Sequence, residues 1–187
     1  MAVVNSRKIR APRDAPAARR GTVAEASRLL ARRPRTEREL RDALSERGHG
    51  SEEIDEAVRE LTEAGLLDDA GLALHYILMR TERRGHGRER LLRELQARGV
   101  DAETAAAAWR GAEERYGVDA GSLLARQVAR RIAPFDGRLD MKGYRRVYNA
   151  LLRAGFDAYS VRRELEPHRA FNDTADDLDD GVCDDLP

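Results

Sequence analysis

A single cysteine, Cys183, in 187 residues rules out an internal disulfide and fits a reducing cytoplasm. Aromatic residues make up only 5% of the chain and apolar residues 41%, against 36% charged. That balance is too polar for one large core, but it suits several small helical units that each bury a stripe. No apolar run approaches the roughly 20 residues of a membrane span. The nearest, residues 72–79, contains His75. The N-terminus has charges with no apolar core behind them, so a secretory signal is not expected. Strand-like alternation of β-branched residues is missing throughout, which makes the class all-α. Lysine is nearly absent, with only Lys8 and Lys142 among 34 basic residues.

Net charge is also missing, but the zero conceals an asymmetry. Residues 1–20 carry six basic groups against Asp14, a net of +5, and residues 172–187 carry seven aspartates and no basic group. The remainder, 21–171, is +2. Both ends are poor in apolar residues, and disorder is expected at 1–20 and 169–187.

What the chain does have is a pattern that occurs three times. Leu40, Leu44, Gly48, Ile54, Val58 and Leu61 have counterparts in Leu91, Leu95, Gly99, Ala105, Trp109 and Ala112. The third copy is Val147, Leu151, Gly155, Val161 and Leu165, with His168 breaking the last place. Two amphipathic helices joined at a glycine, repeated in this way, predict an array of stacked units. An array offers an extended gripping surface in preference to a catalytic pocket.

Local signals fill in the units. Val23, Ala26 and Leu30 share a face of a helix over 22–33, which Pro34 ends. Thr36 with Glu39 forms a capping-box signature, and Gly48 and Gly50 supply a turn with Ser51 as the expected cap of the next helix. Asp68 or Asp69 caps a helix carrying Leu72, Ala73, Tyr76, Ile77 and Arg80, Gly99 closes the following helix, and Asp101 caps another. Asp157 does the same after Gly155. The reading is three tandem three-helix units resembling helix-turn-helix cores, at 21–67, 68–117 and 118–168, in an elongated array. Trp109 is expected to fill space left by Ala105, Ala108 and Ala112.

In order, Gly65-Leu66-Leu67-Asp68-Asp69, Ala73, Tyr76, Arg80, Arg84-Gly85-His86-Gly87, Arg90-Leu91, Glu94-Leu95 and Arg98-Gly99-Val100 resemble the RecX family of bacterial RecA regulators. Leu151-Leu152-Arg153-Ala154-Gly155-Phe156 is similar to that family's closing element. The resemblance covers about 22–168. Two positions depart from it: Arg88 stands where the family often has proline, and Ala154 where it often has arginine. The resemblance implies that the array is curved, and that the chain is a non-catalytic modulator that lodges in the groove of the RecA–DNA filament. It would limit filament growth, ATPase, strand exchange and coprotease activity. A cytoplasmic monomer without a cofactor is expected, with the RecA nucleoprotein filament as partner and weak direct contact with single- or double-stranded DNA. The alternative is a regulator that binds DNA directly through its helix-turn-helix-like units.

Arg80, Arg83, Arg84, Arg88 and Arg90 cluster around the Gly85-His86-Gly87 turn, against Glu82 and Glu89. They read either as a positive patch for an acidic partner or DNA phosphates, or as a solvated helix end. Asp68 and Asp69 are already explained as caps, and Tyr76 as core. The motif positions Gly85, Gly87, Leu91, Leu95, Gly99, Gly155 and Phe156 are expected to be structural. His49, His75, His86 and His168 lack ligand spacing, and no catalytic constellation or phosphate loop is found.

Overall fold

A computed structural model of the chain describes residues 17–170. The acidic stretch 172–187, Cys183 and the first sixteen residues of the basic arm lie outside the described residues. The class is all-α: nine α-helices and no strand occur among the described residues. They are α1 (Ala17–Arg32), α2 (Glu37–Ser45), α3 (Ser51–Glu63), α4 (Asp69–Arg84), α5 (Arg88–Ala97), α6 (Ala102–Tyr116), α7 (Ala120–Ile132), α8 (Met141–Arg153) and α9 (Ala158–Leu165). The helices are short, so burial of an apolar stripe has to supply what isolated helices lack.

The three glycine corners share one conformation. Gly48, Gly99 and Gly155 have φ of +83°, +93° and +92°, a region that other residues enter only at a cost. Behind each corner the repeated positions are buried. Leu40, Leu44, Leu91, Leu95, Leu151, Val161 and Leu165 have no exposed surface, and Trp109 is 1% exposed. His168, the irregular place in the pattern, is half-buried and its Nδ1 lies 2.9 Å from the Gly137 carbonyl oxygen.

Residues 17–83 and 91–118 belong to one compact unit, and residues 84–90 with 119–170 to a second. In the first unit, α1 packs on α3 and both pack on α2 around Ala26, Leu29, Leu40, Leu44, Ile54, Val58 and Leu61. In the second, α7 packs on α8 and α9. There the Leu139 amide donates to the His168 carbonyl at 2.8 Å, and the Ala170 amide donates to the Leu139 carbonyl at 2.9 Å. Ala170 is thereby tied down within the stretch 169–187 for which disorder was expected.

Several local expectations need correction. Helix α1 starts at Ala17, inside the expected arm, and it buries Val23 and Ala26 as expected but Leu29 in place of Leu30, which is only partly covered. The cap of α3 is Gly50, whose extended backbone (φ −69°, ψ 153°) leaves Ser51 as the first helical residue. Elsewhere the caps follow the sequence. Thr36 and Glu39 form the reciprocal capping box, and Asp101 and Asp157 each accept from the amide three residues on; Asp140, which the sequence reading did not single out, caps α8 in the same way.

Candidate interaction surfaces

In the first unit, the start of α2 is bound to the Gly99 corner. The Thr36 hydroxyl donates to the Arg98 carbonyl at 2.6 Å. Arg98 reaches back to Glu39 with two hydrogen bonds, Nε to Oε1 at 2.8 Å and Nη2 to Oε2 at 3.1 Å. A Cβ on Gly99 would overlap the Cβ of Arg38. The hydrogen bonds from Arg98 hold the Glu39 carboxyl below the ordinary carboxylate range despite partial burial, and Glu39 raises Arg98 in turn.

The two aspartates divide their work. Asp68 caps α4 by accepting from the Gly71 amide at 2.9 Å. Asp69 instead accepts from the Glu37 amide at 2.9 Å, joining the start of α4 to the start of α2. Burial pushes Asp69 up, although the bond from Glu37 opposes this. Tyr76 is half-buried and not the core residue its helical stripe suggested. Its hydroxyl donates to Glu94 at 2.7 Å, with Arg80 at 4.9 Å and Arg98 at 5.5 Å from the ring centroid. Burial foremost, and then the bond to Glu94, raise its phenol.

The second unit contains a counterpart of the Gly99 junction. The Gly87 amide donates to the Ala154 carbonyl at 2.8 Å, and the Glu89 amide to the Gly155 carbonyl at 3.0 Å. A Cβ on Gly87 would overlap the Gly155 carbonyl, and one on Gly155 would overlap the backbone nitrogen and Cβ of Arg90. At Gly85, which has φ +60°, a Cβ would run into the Gln127 side chain. The Gly85-His86-Gly87 turn is therefore a backbone docking surface. Its glycines permit an approach that any side chain would block.

The two junctions are equivalent by position. Thr36 precedes Gly48 by twelve residues, as Gly87 precedes Gly99. Each contributes a donor to the carbonyl just before the next corner glycine, Arg98 in one case and Ala154 in the other. One donor is a side chain and the other is backbone, so an apolar repeat pattern could not reveal the match. The equal spacing of Thr36 and Gly87 was the signal available.

The arginines grouped by sequence fall into different settings. Arg80 and Arg83 lie in the first unit, with Arg80 over Tyr76 and Arg83 exposed. Arg84, Arg88 and Arg90 lie in the second. Arg84 is exposed, Arg88 pairs with Glu89 at 3.2 Å, and Arg90 is half-buried at the Gly155 junction with Nη1 3.5 Å from the Arg153 carbonyl. Arg90 is thus a junction residue more than a surface cation. Leu91, Leu95 and Phe156 are buried.

Charge counted by compact unit shows what the sequence reading missed. Residues 119–170 hold eleven basic side chains against six carboxylates, and residues 84–90 add a further +2. Three of the six carboxylates, Asp119, Asp140 and Asp157, are engaged as helix caps. Residues 21–83 with 91–118 total −5. Among the described residues, no helix is long and apolar enough to cross a membrane. No group of three or more His, Cys, Asp or Glu side chains there could hold a metal ion.

Family models for the first and second three-helix domains of RecX match residues 24–61 and 68–108. A regulatory protein RecX of Thermobifida fusca is 38% identical over 144 residues, covering 74% of this chain and 76% of the relative. One from Amycolatopsis mediterranei is 35% identical over 161 residues, covering 83% and 88%. A crystal structure of RecX from Lactobacillus salivarius shares the fold at a TM-score of 0.70 and 16% identity, over 80% of this chain and 96% of that one. The order of motifs, the two matched domains and the extent of the shared sequence lead to one conclusion: this chain belongs to the RecX family of regulatory proteins.

Proposed function

We propose that the chain regulates the RecA recombinase by binding in the groove of the RecA–DNA filament. There it limits filament growth and, with it, ATPase, strand exchange and coprotease activity. Its setting is recombinational DNA repair and the SOS response. Family membership across both matched three-helix domains carries this reading. The repeated junction supports it physically. Helical units held at glycine corners can touch neighbouring filament protomers together, so weak contacts gain strength through effective concentration.

The chain acts in this reading as a non-catalytic cytoplasmic monomer without a cofactor. Three functional helical units span 21–67, 68–117 and 118–168, flanked by a basic arm at 1–20 and an acidic tail at 169–187. Arg80, Arg83, Arg84 and Arg88 are the contacts we assign to the partner. Arg90, Asp68, Asp69, Tyr76 and the corner glycines shape the junctions. Purified chain at substoichiometric amounts lowers the DNA-dependent ATPase of its cognate RecA. An unchanged ATPase under filament-forming conditions overturns the reading. A second reading, direct DNA binding, is favoured by the excess positive charge of residues 84–90 and 119–170. It requires steeply salt-dependent binding to bare DNA.

A further inference from the structure

The second compact unit contains three tyrosines, and each has an arginine against its ring. Arg169 lies 5.8 Å from the centroid of Tyr144, Arg162 lies 5.9 Å from Tyr148, and Arg163 lies 5.9 Å from Tyr159. Tyr144 and Tyr148, one turn apart on α8, stack with centroids 6.1 Å apart and planes within 10°. None of the three rings is fully buried, and Tyr159 is 74% exposed.

Packing alone does not account for this arrangement. The core of the unit is supplied by Leu123, Leu124, Val128, Leu139, Val147, Leu151, Val161 and Leu165, all buried. The tyrosines stand outside that set, on α8 and α9, where an apolar core gains little from them. Of the three arginines, Arg169 is neutralised by a local acid, and two other local acids serve as helix caps. Asp157 caps α9, Glu166 pairs with Arg169 at 3.1 Å, and Asp140 caps α8. Arg162 and Arg163 are left exposed on a segment of excess positive charge.

We infer that the α8–α9 face is a binding site for single-stranded nucleic acid, with Tyr148 and Tyr159 as base-stacking platforms and Arg162 and Arg163 as phosphate contacts. Aromatic faces interleaved with cations suit a single strand, because its bases are free to stack while its phosphates run past the positive groups. A duplex presents phosphates but keeps its bases stacked internally, so it uses the arginines alone. The site deepens and rests on the direct-DNA reading of this positive segment, and it stands or falls separately from the RecA reading.

The test uses the full chain, without RecA, and a fluorescein-labelled 20-residue oligothymidylate read by fluorescence anisotropy. Binding at low salt falls with added salt, and the Arg162→Gln/Arg163→Gln double variant reduces the slope of log K against log salt by about 1.4, at about 0.7 per phosphate contact. Tyr159→Ala weakens binding roughly tenfold at constant slope, and Tyr148→Ala does the same, as loss of one stacked base requires. Arg28→Gln/Arg110→Gln, exposed cations of the first unit, leave both quantities unchanged. Tyr159 is exposed enough to replace without loss of folding, so its result stands even where Tyr148→Ala unfolds the unit. Absence of binding at low salt, an equal effect of the Arg28/Arg110 variant, or tyrosine variants that bind as the parent does each overturn the site. Equal affinity for a 20-base-pair duplex means contact through phosphates only, and overturns the stacking role. Retained RecA ATPase inhibition in a variant that has lost oligothymidylate binding separates this site from the proposed function.

Discussion

Replacing Gly155 with alanine tests the junction most sharply, because Gly48 provides an internal reference. Both glycines have strongly positive φ, +92° and +83°. A Cβ at Gly48 meets nothing within 4 Å, so Gly48→Ala carries only the conformational penalty, about 1–2 kcal/mol. At Gly155 the same Cβ would strike the backbone of Arg90. Relief requires the 84–90 segment to move away, which disrupts the bonds from Gly87 to Ala154 and from Glu89 to Gly155. Overpacking of about 1–3 kcal/mol and two backbone hydrogen bonds of about 0.5–1.5 kcal/mol each put the excess over Gly48→Ala at roughly 2–6 kcal/mol. Hydrogen exchange under native conditions reads this locally, which matters in a chain with two compact units. The Gly87 and Glu89 amides exchange about 30- to 20,000-fold faster in Gly155→Ala than in Gly48→Ala. Equal exchange in the two variants refutes the docking role of the corner.

Gly99→Ala follows the same logic in the first unit. It destabilises by about 1–3 kcal/mol beyond Gly48→Ala in urea unfolding, because its Cβ strikes Arg38. Trp109→Ala loses about 3–5 kcal/mol, as expected for a side chain that is 1% exposed, and a loss below about 1 kcal/mol contradicts its place in the core. Acid weakens the fold. Glu39 and Asp157 are held low by hydrogen bonds to Arg98 and to the Ser160 amide. The stability they supply is present above the ordinary carboxylate range and is lost as pH falls through their folded values. Asp69, raised by burial, has the opposite sign: its contribution is present at low pH and is lost as pH rises through its folded value. The urea midpoint therefore drops between about pH 5 and pH 3, and a midpoint that is flat or rises toward acid contradicts the assignment of Glu39 and Asp157. Removing residues 172–187 changes the formal charge from zero to +7, so the truncated chain elutes from heparin at higher salt than the full chain. Identical elution of the two contradicts that expectation.

The helices and their cores were legible in the sequence because both follow from periodicity and caps. A glycine four residues after a buried leucine and six before the next apolar position marks a corner wherever it recurs. Thr36, Asp101 and Asp157 sit where a side-chain oxygen can satisfy a free helix amide. The junctions were less legible, because they join backbone groups far apart in sequence. Nothing in Asp69 distinguishes a residue that accepts from Glu37 from a second cap. The role of Gly87 depends on how closely Gly155 approaches, which no pattern in the sequence states. The arginine turn misled in part, since a cation at position 90 reads the same whether it faces solvent or packs on a glycine corner. The tyrosine–arginine face went unseen because its residues are spread over 144–169, and its charge becomes apparent only when counted within its own compact unit.

Filament extension tests the central claim most directly. Fluorescent cognate RecA is followed as it grows along a tethered DNA molecule, before and after addition of the purified chain. Growth slows or stops at chain concentrations well below that of RecA, and the Gly99→Ala variant, with its junction broken, does so only at higher concentration. Extension at an undiminished rate, with chain present in excess over filament ends and along the groove, contradicts the proposed function.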